Sequence, residues 1–186
     1  MEMPVKTEST NVHPPRLYVF SGLPGTGKTT LSRMLSQWLS APHIRVDTLE
    51  QAMRNAGLTG ITHEGYDVAY QLASDQLALG FSVVADSCNP IRVTREAWQT
   101  VAIKPAAAYT NIEVICSNLS AHRQRVASRI SDIEGLILPT WEQVIGREYE
   151  VWTSDVVRID TGDATIEQAF QDLLKQLALT GHVSSI

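Results

Sequence analysis

Short apolar runs alternate with amphipathic stretches along most of the chain. Five runs rich in β-branched and aromatic residues predict strands at 16–20, 44–47, 81–86, 112–116 and 156–160. Apolar residues spaced three and four apart predict helices at about 28–40, 49–56, 64–79, 90–101, 120–130, 140–152 and 165–179. Strands that alternate with helices favour one parallel sheet with helices on both faces. We therefore expect an α/β fold of three layers around a five-stranded parallel sheet.

Composition limits the classes of protein that the chain can represent. Its 186 residues suit one domain with its own core, which we predict over residues 15–186 after a disordered lead-in at 1–14. The formal net charge of −5 disfavours broad binding to nucleic acid or to an anionic membrane. No apolar run is long enough to span a membrane. Cys88 and Cys116 lack metal-ligand spacing, so a reduced, cytoplasmic setting fits best.

The most specific motif lies between the first predicted strand and the first predicted helix. Residues 22–29, Gly-Leu-Pro-Gly-Thr-Gly-Lys-Thr, match the phosphate-binding pattern of Gly, four residues, Gly, Lys and Ser or Thr. Glycines let backbone N–H groups approach an anion, and the positive end of the following helix faces it. Lys28 would then reach the β- and γ-phosphates of a nucleotide, and Thr29 would hold Mg²⁺. The predicted nucleotide-binding residues are Gly22, Gly25, Thr26, Gly27, Lys28, Thr29 and Thr30.

Two aspartates follow predicted strands, at the edge of a parallel sheet where ligands bind. Asp86 ends the apolar run 83–85; it would hold Mg²⁺ through water as a Walker B aspartate, or else shape the turn that follows. Asp47 lies between a predicted strand and a predicted helix. It is our candidate general base for an attacking hydroxyl, and its alternative role is the N-cap of that helix. Asp160 ends the fifth predicted strand and is given no role.

Arginines crowd into the helix predicted at 120–130, which is unusual on an acidic chain. Arg125 and Arg129 are four residues apart and share a helix face. Arginines stabilise the charge that spreads over the γ-phosphate oxygens during transfer. We predict that this helix and the loop after it form a lid that brings both arginines over the phosphates. The alternative is a solvated basic face paired with acids such as Asp132 or Glu134.

The order of these motifs resembles that of the small P-loop kinases. This group includes gluconate, shikimate and adenylylsulfate kinases, chloramphenicol phosphotransferase, polynucleotide 5′-kinases and the AAA-domain ATPases related to them. The resemblance rests on the loop Gly22–Thr30, on Asp47, on residues 84–89 and on the pair Arg125 and Arg129, and it extends over about residues 16–180. It implies a central loop strand, a short helical lid after the fourth strand, and MgATP as phosphate donor. It also implies that adenine lies near the loop after Asp160.

We therefore expect an ATP-dependent phosphotransferase that acts on a hydroxyl of a small-molecule acceptor. The alternatives are a polynucleotide 5′-hydroxyl kinase and a nucleotide-binding regulatory ATPase. Polynucleotide kinases of this type usually carry an arginine three residues after the candidate base, where this chain has Glu50 and its nearest arginine is Arg54. Arg92 and Arg95 would either bind an anionic acceptor or be solvated helix residues. The sequence leaves monomer and homodimer open.

Overall fold

A computed structural model describes residues 14–179. The predicted lead-in, except for its last residue, lies outside the described residues, and so do residues 180–186. Within the described range no helix combines the length and the apolar character that crossing a membrane requires.

The sheet has five strands, and all of their pairings are parallel. The strands are β1 (Arg16–Ser21), β2 (His43–Arg45), β3 (Val83–Asp86), β4 (Ala108–Ile115) and β5 (Val157–Asp160). Their order across the sheet is β2-β3-β1-β4-β5, so the strand that leads into the glycine-rich loop is central. The predicted α/β fold with a five-stranded parallel sheet is confirmed.

Within residues 14–179, seven helices connect and cover the strands. They are α1 (Lys28–Leu39), α2 (Val46–Asn55), α3 (Glu64–Ala78), α4 (Arg92–Ile103), α5 (Leu119–Ser128), α6 (Trp141–Ile145) and α7 (Ile166–Gln176). The alternation of side chains along β1 divides the core in two. Tyr18 and Phe20 pack with α1 and α7 on one face, and Leu17 and Val19 pack with α3 and α4 on the other. Because the five strands are parallel, their carboxyl ends all lie at one edge of the sheet.

Several predicted boundaries were wrong, among them the start of β4, which lies at Ala108 and not at residue 112. The strand predicted to reach Asp47 ends at Arg45, because α2 already begins at Val46, whose buried side chain packs into the apolar cluster beside α3 and α4. The helix predicted over 140–152 covers only Trp141–Ile145, and Gly146 is its C-cap. The apolar residues after Gly146 have helical spacing in the sequence but lie outside the helix. Trp152 among them packs against the guanidinium of Arg95.

Candidate functional site

The glycine-rich loop of residues 22–27 turns the chain sharply from β1 into α1. Gly22, Gly25 and Gly27 all have positive φ, at 145°, 86° and 94°. A Cβ atom on Gly22 would lie 2.3 Å from the backbone oxygen of Val114, and one on Gly25 would lie 2.6 Å from Cγ2 of Val126. Both conformation and space therefore require glycine at the first two positions.

The start of α1 is arranged to receive an anion. Its N-cap is Gly27, no side-chain hydrogen bond caps its first turn, and that turn contains no acidic residue. The free N–H groups and the helix dipole therefore favour negative charge in front of Lys28. Gly25, Gly27, Lys28, Thr29 and Thr30 line a cavity at this point. Two further predicted binding residues, Gly22 and Thr26, are buried within the loop and do not line the cavity.

Side chains from two neighbouring segments hold the loop in this shape. Nε2 of the buried His122, on α5, lies 2.9 Å from the backbone oxygen of Pro24. The Thr161 hydroxyl donates to the backbone oxygen of Thr26 at 2.7 Å. Arg125 in turn donates to the Thr161 hydroxyl and to its backbone oxygen, both at 2.8 Å. Arg125 lines the cavity, but its two terminal nitrogens brace the turn after β5.

Asp86 lies at the end of β3 and is 1% exposed. Neither of its carboxylate oxygens has a hydrogen-bond partner within the described structure. Oδ1 lies 3.7 Å from Nζ of Lys28, and Oδ2 lies 3.9 Å from both Nε2 of His43 and Nε of Arg45. A buried carboxylate with free lone pairs needs further ligands. Asp86 and Thr29, which follows Lys28 on α1 and lines the cavity, therefore fit a hydrated Mg²⁺, which is an oxygen-seeking cation that keeps several waters.

The cavity in front of the loop has a volume of about 770 Å³. Basic side chains dominate its lining even though the whole chain is acidic; they are Lys28, Arg33, Arg45, Arg54, Arg125, Arg129 and Arg147. The carboxylates that line it are Asp47, Glu50 and Asp132. A cavity with this excess of positive charge is suited to a polyanionic ligand.

Arg129 and Asp47 both line this cavity. Arg129 is the C-cap of α5, and its Nε and Nη2 are buried without a hydrogen-bond partner in the described structure. Burial lowers the pKa of Arg129, and the charge of the Asp47 carboxylate partly offsets that shift. Asp47 lies in the first turn of α2 and does not cap the helix, because Arg45 is the N-cap. The predicted residues Lys28, Asp47, Arg125 and Arg129 thus share one cavity.

Several cavity residues were missed by the sequence analysis. Arg45 ends β2, and its guanidinium lies within 4 Å of Asp47, Asp86 and Asp132. Arg33 also binds Asp132, and Arg147 lines the cavity without an ion-pair partner in the described residues. The only available signal was position, because Arg45 ends a strand two residues before the candidate base. A lone arginine at a strand end is too common to single out.

Arg95 adopts neither of the two roles proposed for it. It is 6% exposed, and it donates hydrogen bonds to the backbone oxygens of Asn89, Pro90, Glu150 and Val151. Its guanidinium also lies 4.0 Å from the centre of the Trp152 ring. Arg95 is therefore a structural residue that joins the segment after α6 to the segment after β3. Arg92 pairs with Glu96 on the surface, outside the cavity.

The central strand, the glycine-rich loop and the uncapped helix start together define a P-loop nucleotide-binding protein. Residues 17–134 match the sequence pattern of a protein family described as "AAA domain". The chain belongs to this family, and its fold is that of the small P-loop kinases, as the resemblance implied.

One curated relative is similar over a shorter stretch. Adenylate kinase 1 of Nostoc sp. (strain PCC 7120) is 40% identical over 60 residues, which are 32% of this chain and 33% of the relative. The match thus spans about a third of the length of the curated relative. The activity of that relative is not transferred by so short a match.

Two solved structures illustrate the likeness of fold. The APS kinase CysC of Mycobacterium tuberculosis, in complex with AMPPNP and APS, has a TM-score of 0.66 and 17% identity, over 89% of this chain and 98% of that one. Kti12 of Chaetomium thermophilum, in complex with ADP-AlF3, has a TM-score of 0.64 and 23% identity, over 89% of this chain and 100% of that one. At these identities the likeness concerns the fold.

Proposed function

We propose that this protein transfers the γ-phosphate of ATP to a hydroxyl group of a small-molecule acceptor in the cytoplasm. The observation that carries the proposal is the arrangement around one cavity. Asp47, Lys28 and Arg129 line the same cavity, and the buried Asp86 lies 3.7 Å from Nζ of Lys28. Phosphoryl transfer requires a base for the acceptor and positive charge around the phosphate, and this arrangement supplies both.

In this proposal the phosphate loop and Lys28 bind the β- and γ-phosphates. The acceptor oxygen attacks the γ-phosphorus in line, and the bond between that phosphorus and the oxygen of ADP breaks, so ADP leaves with the electron pair. Asp47 takes the proton of the attacking hydroxyl. Lys28 and Arg129 stabilise the charge on the equatorial oxygens, because both line the cavity and Nε and Nη2 of Arg129 have no hydrogen-bond partner in the described structure.

Thr29 and Asp86 would hold Mg²⁺. When bound, the cation neutralises phosphate charge and orients the phosphates. The unpaired oxygens of Asp86 support this role, because a carboxylate in a turn or a cap would bind backbone N–H groups instead. Arg125 supports the loop through Thr161, which favours Arg129 over Arg125 as the arginine that contacts the phosphates.

A small acceptor fits the surroundings of Asp47 better than a nucleic acid does. Glu50 occupies the position three residues after Asp47 and pairs with Arg54 at 3.2 Å, which withdraws that arginine from a phosphate backbone. The APS kinase of similar fold was solved in complex with AMPPNP and APS. We keep a polynucleotide 5′-hydroxyl kinase and a regulatory ATPase as the alternatives that the experiment must separate.

The test is a screen of hydroxyl compounds for ADP release from MgATP. For a kinase we expect ADP release to rise at least about tenfold with one acceptor class, since kinases limit wasteful hydrolysis. Lys28→Ala is the control for background, and it should abolish turnover while the protein stays folded. Release that responds only to oligonucleotides, with steep salt dependence, would support the polynucleotide kinase. Acceptor-independent, slow release would support the regulatory ATPase.

A further inference from the structure

The segment after α5, residues 129–140, passes over the cavity, and we call it the lid loop. The carboxylate of Asp132, in this loop, accepts hydrogen bonds from two separate elements. Oδ2 accepts a hydrogen bond from Arg33 on α1, and Oδ1 accepts one at 2.8 Å from Arg45 at the end of β2. Pairing of Asp132 with the arginines of α5, which the sequence leaves open, does not occur in the described structure. The partners of Asp132 instead lie across the cavity.

Arg45 connects this carboxylate to the two aspartates of the proposed reaction. Only 12% of its side chain is exposed. Its Nη2 lies 3.9 Å from Asp47, and its Nε lies 3.9 Å from Asp86 and has no hydrogen-bond partner in the described structure. Asp132 is the one of these three carboxylates that hydrogen-bonds Arg45, so it fixes where the guanidinium lies.

The rest of the lid loop rests on α2 through weaker contacts. The side chain of Asn55 donates to the backbone oxygen of Glu134 at 3.3 Å. A Cβ on Gly135 would lie 3.1 Å from Nε2 of Gln51, so the loop and α2 are in close contact there. Charge-assisted hydrogen bonds are the strong ones in such a set, and both of those in this set belong to Asp132.

The pKa of Asp132 lies well below its ordinary value, first because of the hydrogen bonds from Arg45 and Arg33. The carboxylate therefore stays charged at any pH at which the protein would work. The contact of Asp132 with Arg33 and Arg45 therefore depends on the position of the lid loop and not on protonation of the carboxylate.

We propose that Asp132 is a latch that holds the lid loop closed and, through Arg45, positions Asp47 for proton transfer. Asp132 is a positioning residue, since it acts through Arg45. When the lid loop opens, Arg45 loses its hydrogen-bonded partner and is drawn towards Asp86 and Asp47. Closure thereby prepares the carboxylates for the reaction, and this part of the inference rests on the proposed function.

Two measurements on Asp132→Asn test the latch, with Glu134→Gln as the matched control in the same loop. The first is hydrogen exchange of the lid-loop amides, which we expect to become about tenfold faster in Asp132→Asn and to stay unchanged in the control. Arg33→Gln should give a similar increase, because it removes the other partner. Asp132→Glu should restore much of the protection.

The second measurement is steady-state turnover of MgATP in the presence of the hydroxyl compound that gives the highest ADP release in the screen. In Asp132→Asn we expect kcat to fall about tenfold, with the KM for ATP changed less than about twofold, because the phosphate loop is untouched. Equal lid exchange in Asp132→Asn and Glu134→Gln would refute the latch, and an unchanged kcat would refute the positioning of Asp47. Absence of turnover in the wild-type protein would contradict the proposed function instead. The exchange comparison needs no turnover, so it would still decide on the latch.

Discussion

Asp47 and Asp86 follow neighbouring strands of the sheet but have very different surroundings. The side chain of Asp86 is 1% exposed and lies among three basic groups, whereas the side chain of Asp47 is 46% exposed and faces the cavity. A buried, fixed carboxylate suits metal binding, and a carboxylate with room to accept a proton suits a base. The different exposure is therefore the residue-scale feature that separates the two proposed roles.

Replacing Asp47 by Asn is the sharpest test at this scale. We expect kcat for transfer to fall at least about a hundredfold, because general bases contribute factors of this size. Nucleotide affinity should be retained, since Lys28 and the loop amides are unchanged. Stability should change by less than about 1 kcal/mol, because Asp47 is largely exposed and contributes a favourable charge near the start of α2 and beside Arg45.

Measuring kcat and nucleotide affinity side by side checks this expectation. Asp75→Asn is the control, because Asp75 is an exposed carboxylate on α3 outside the cavity lining. Transfer at the wild-type rate in Asp47→Asn would exclude Asp47 as the base.

At the scale of elements, Arg95 determines how the chain continues after α6. Its four hydrogen bonds to backbone oxygens and its contact with Trp152 hold the segment 149–152 against the loop that follows β3. That loop contributes Cys88 to the cavity lining. The backbone oxygen of Cys88 accepts a hydrogen bond from the N–H of Gly22. A residue remote from the phosphates therefore supports the glycine-rich loop.

We expect Arg95→Met to destabilise the protein by about 3 kcal/mol or more, because buried carbonyl groups lose their donor. For a domain of this size that loss lowers Tm by roughly 6–12 °C. Arg95→Lys should also destabilise, since an ammonium group cannot donate in four fixed directions. Thermal unfolding of these variants beside Arg92→Gln provides the measurement. Arg92 is exposed, so its replacement should change stability by less than about 0.5 kcal/mol. A Tm for Arg95→Met that equals that of Arg92→Gln would show that the buried arginine is dispensable.

At the scale of the whole molecule, the cavity gathers positive charge that a nucleotide would neutralise. A ligand that binds only the folded state stabilises it, by about 2.7 kcal/mol at a hundred times its Kd. We therefore expect MgATP to raise Tm by roughly 5–10 °C in the wild-type protein. The shift should be much smaller after chelation of Mg²⁺ and should vanish in Lys28→Ala. No shift in the wild-type protein would contradict nucleotide binding at the loop.

Some features of the fold and the site could be predicted from the sequence, and others could not. The loop of residues 22–27 was predictable because its chemistry is local, namely glycines, a lysine and a helix start at fixed spacing. The end of α6 was not predictable, because the apolar residues after Gly146 continue a helical pattern in the sequence. Their partner in the structure is Arg95, which is about fifty residues away along the chain. Arg45 gave no signal for the same reason, since its three carboxylates come from separate segments.

By itself the sequence determined the parallel sheet, the phosphate loop and the strand ends at which polar residues would gather. These features follow from short-range periodicity and from rules of chain connection. Only the tertiary structure decided which side chains meet: Asp132 with Arg33 and Arg45, Arg125 with Thr161, and Arg95 with the backbone after α6. Side chains far apart in the sequence come into contact through packing, and packing depends on the whole chain at once.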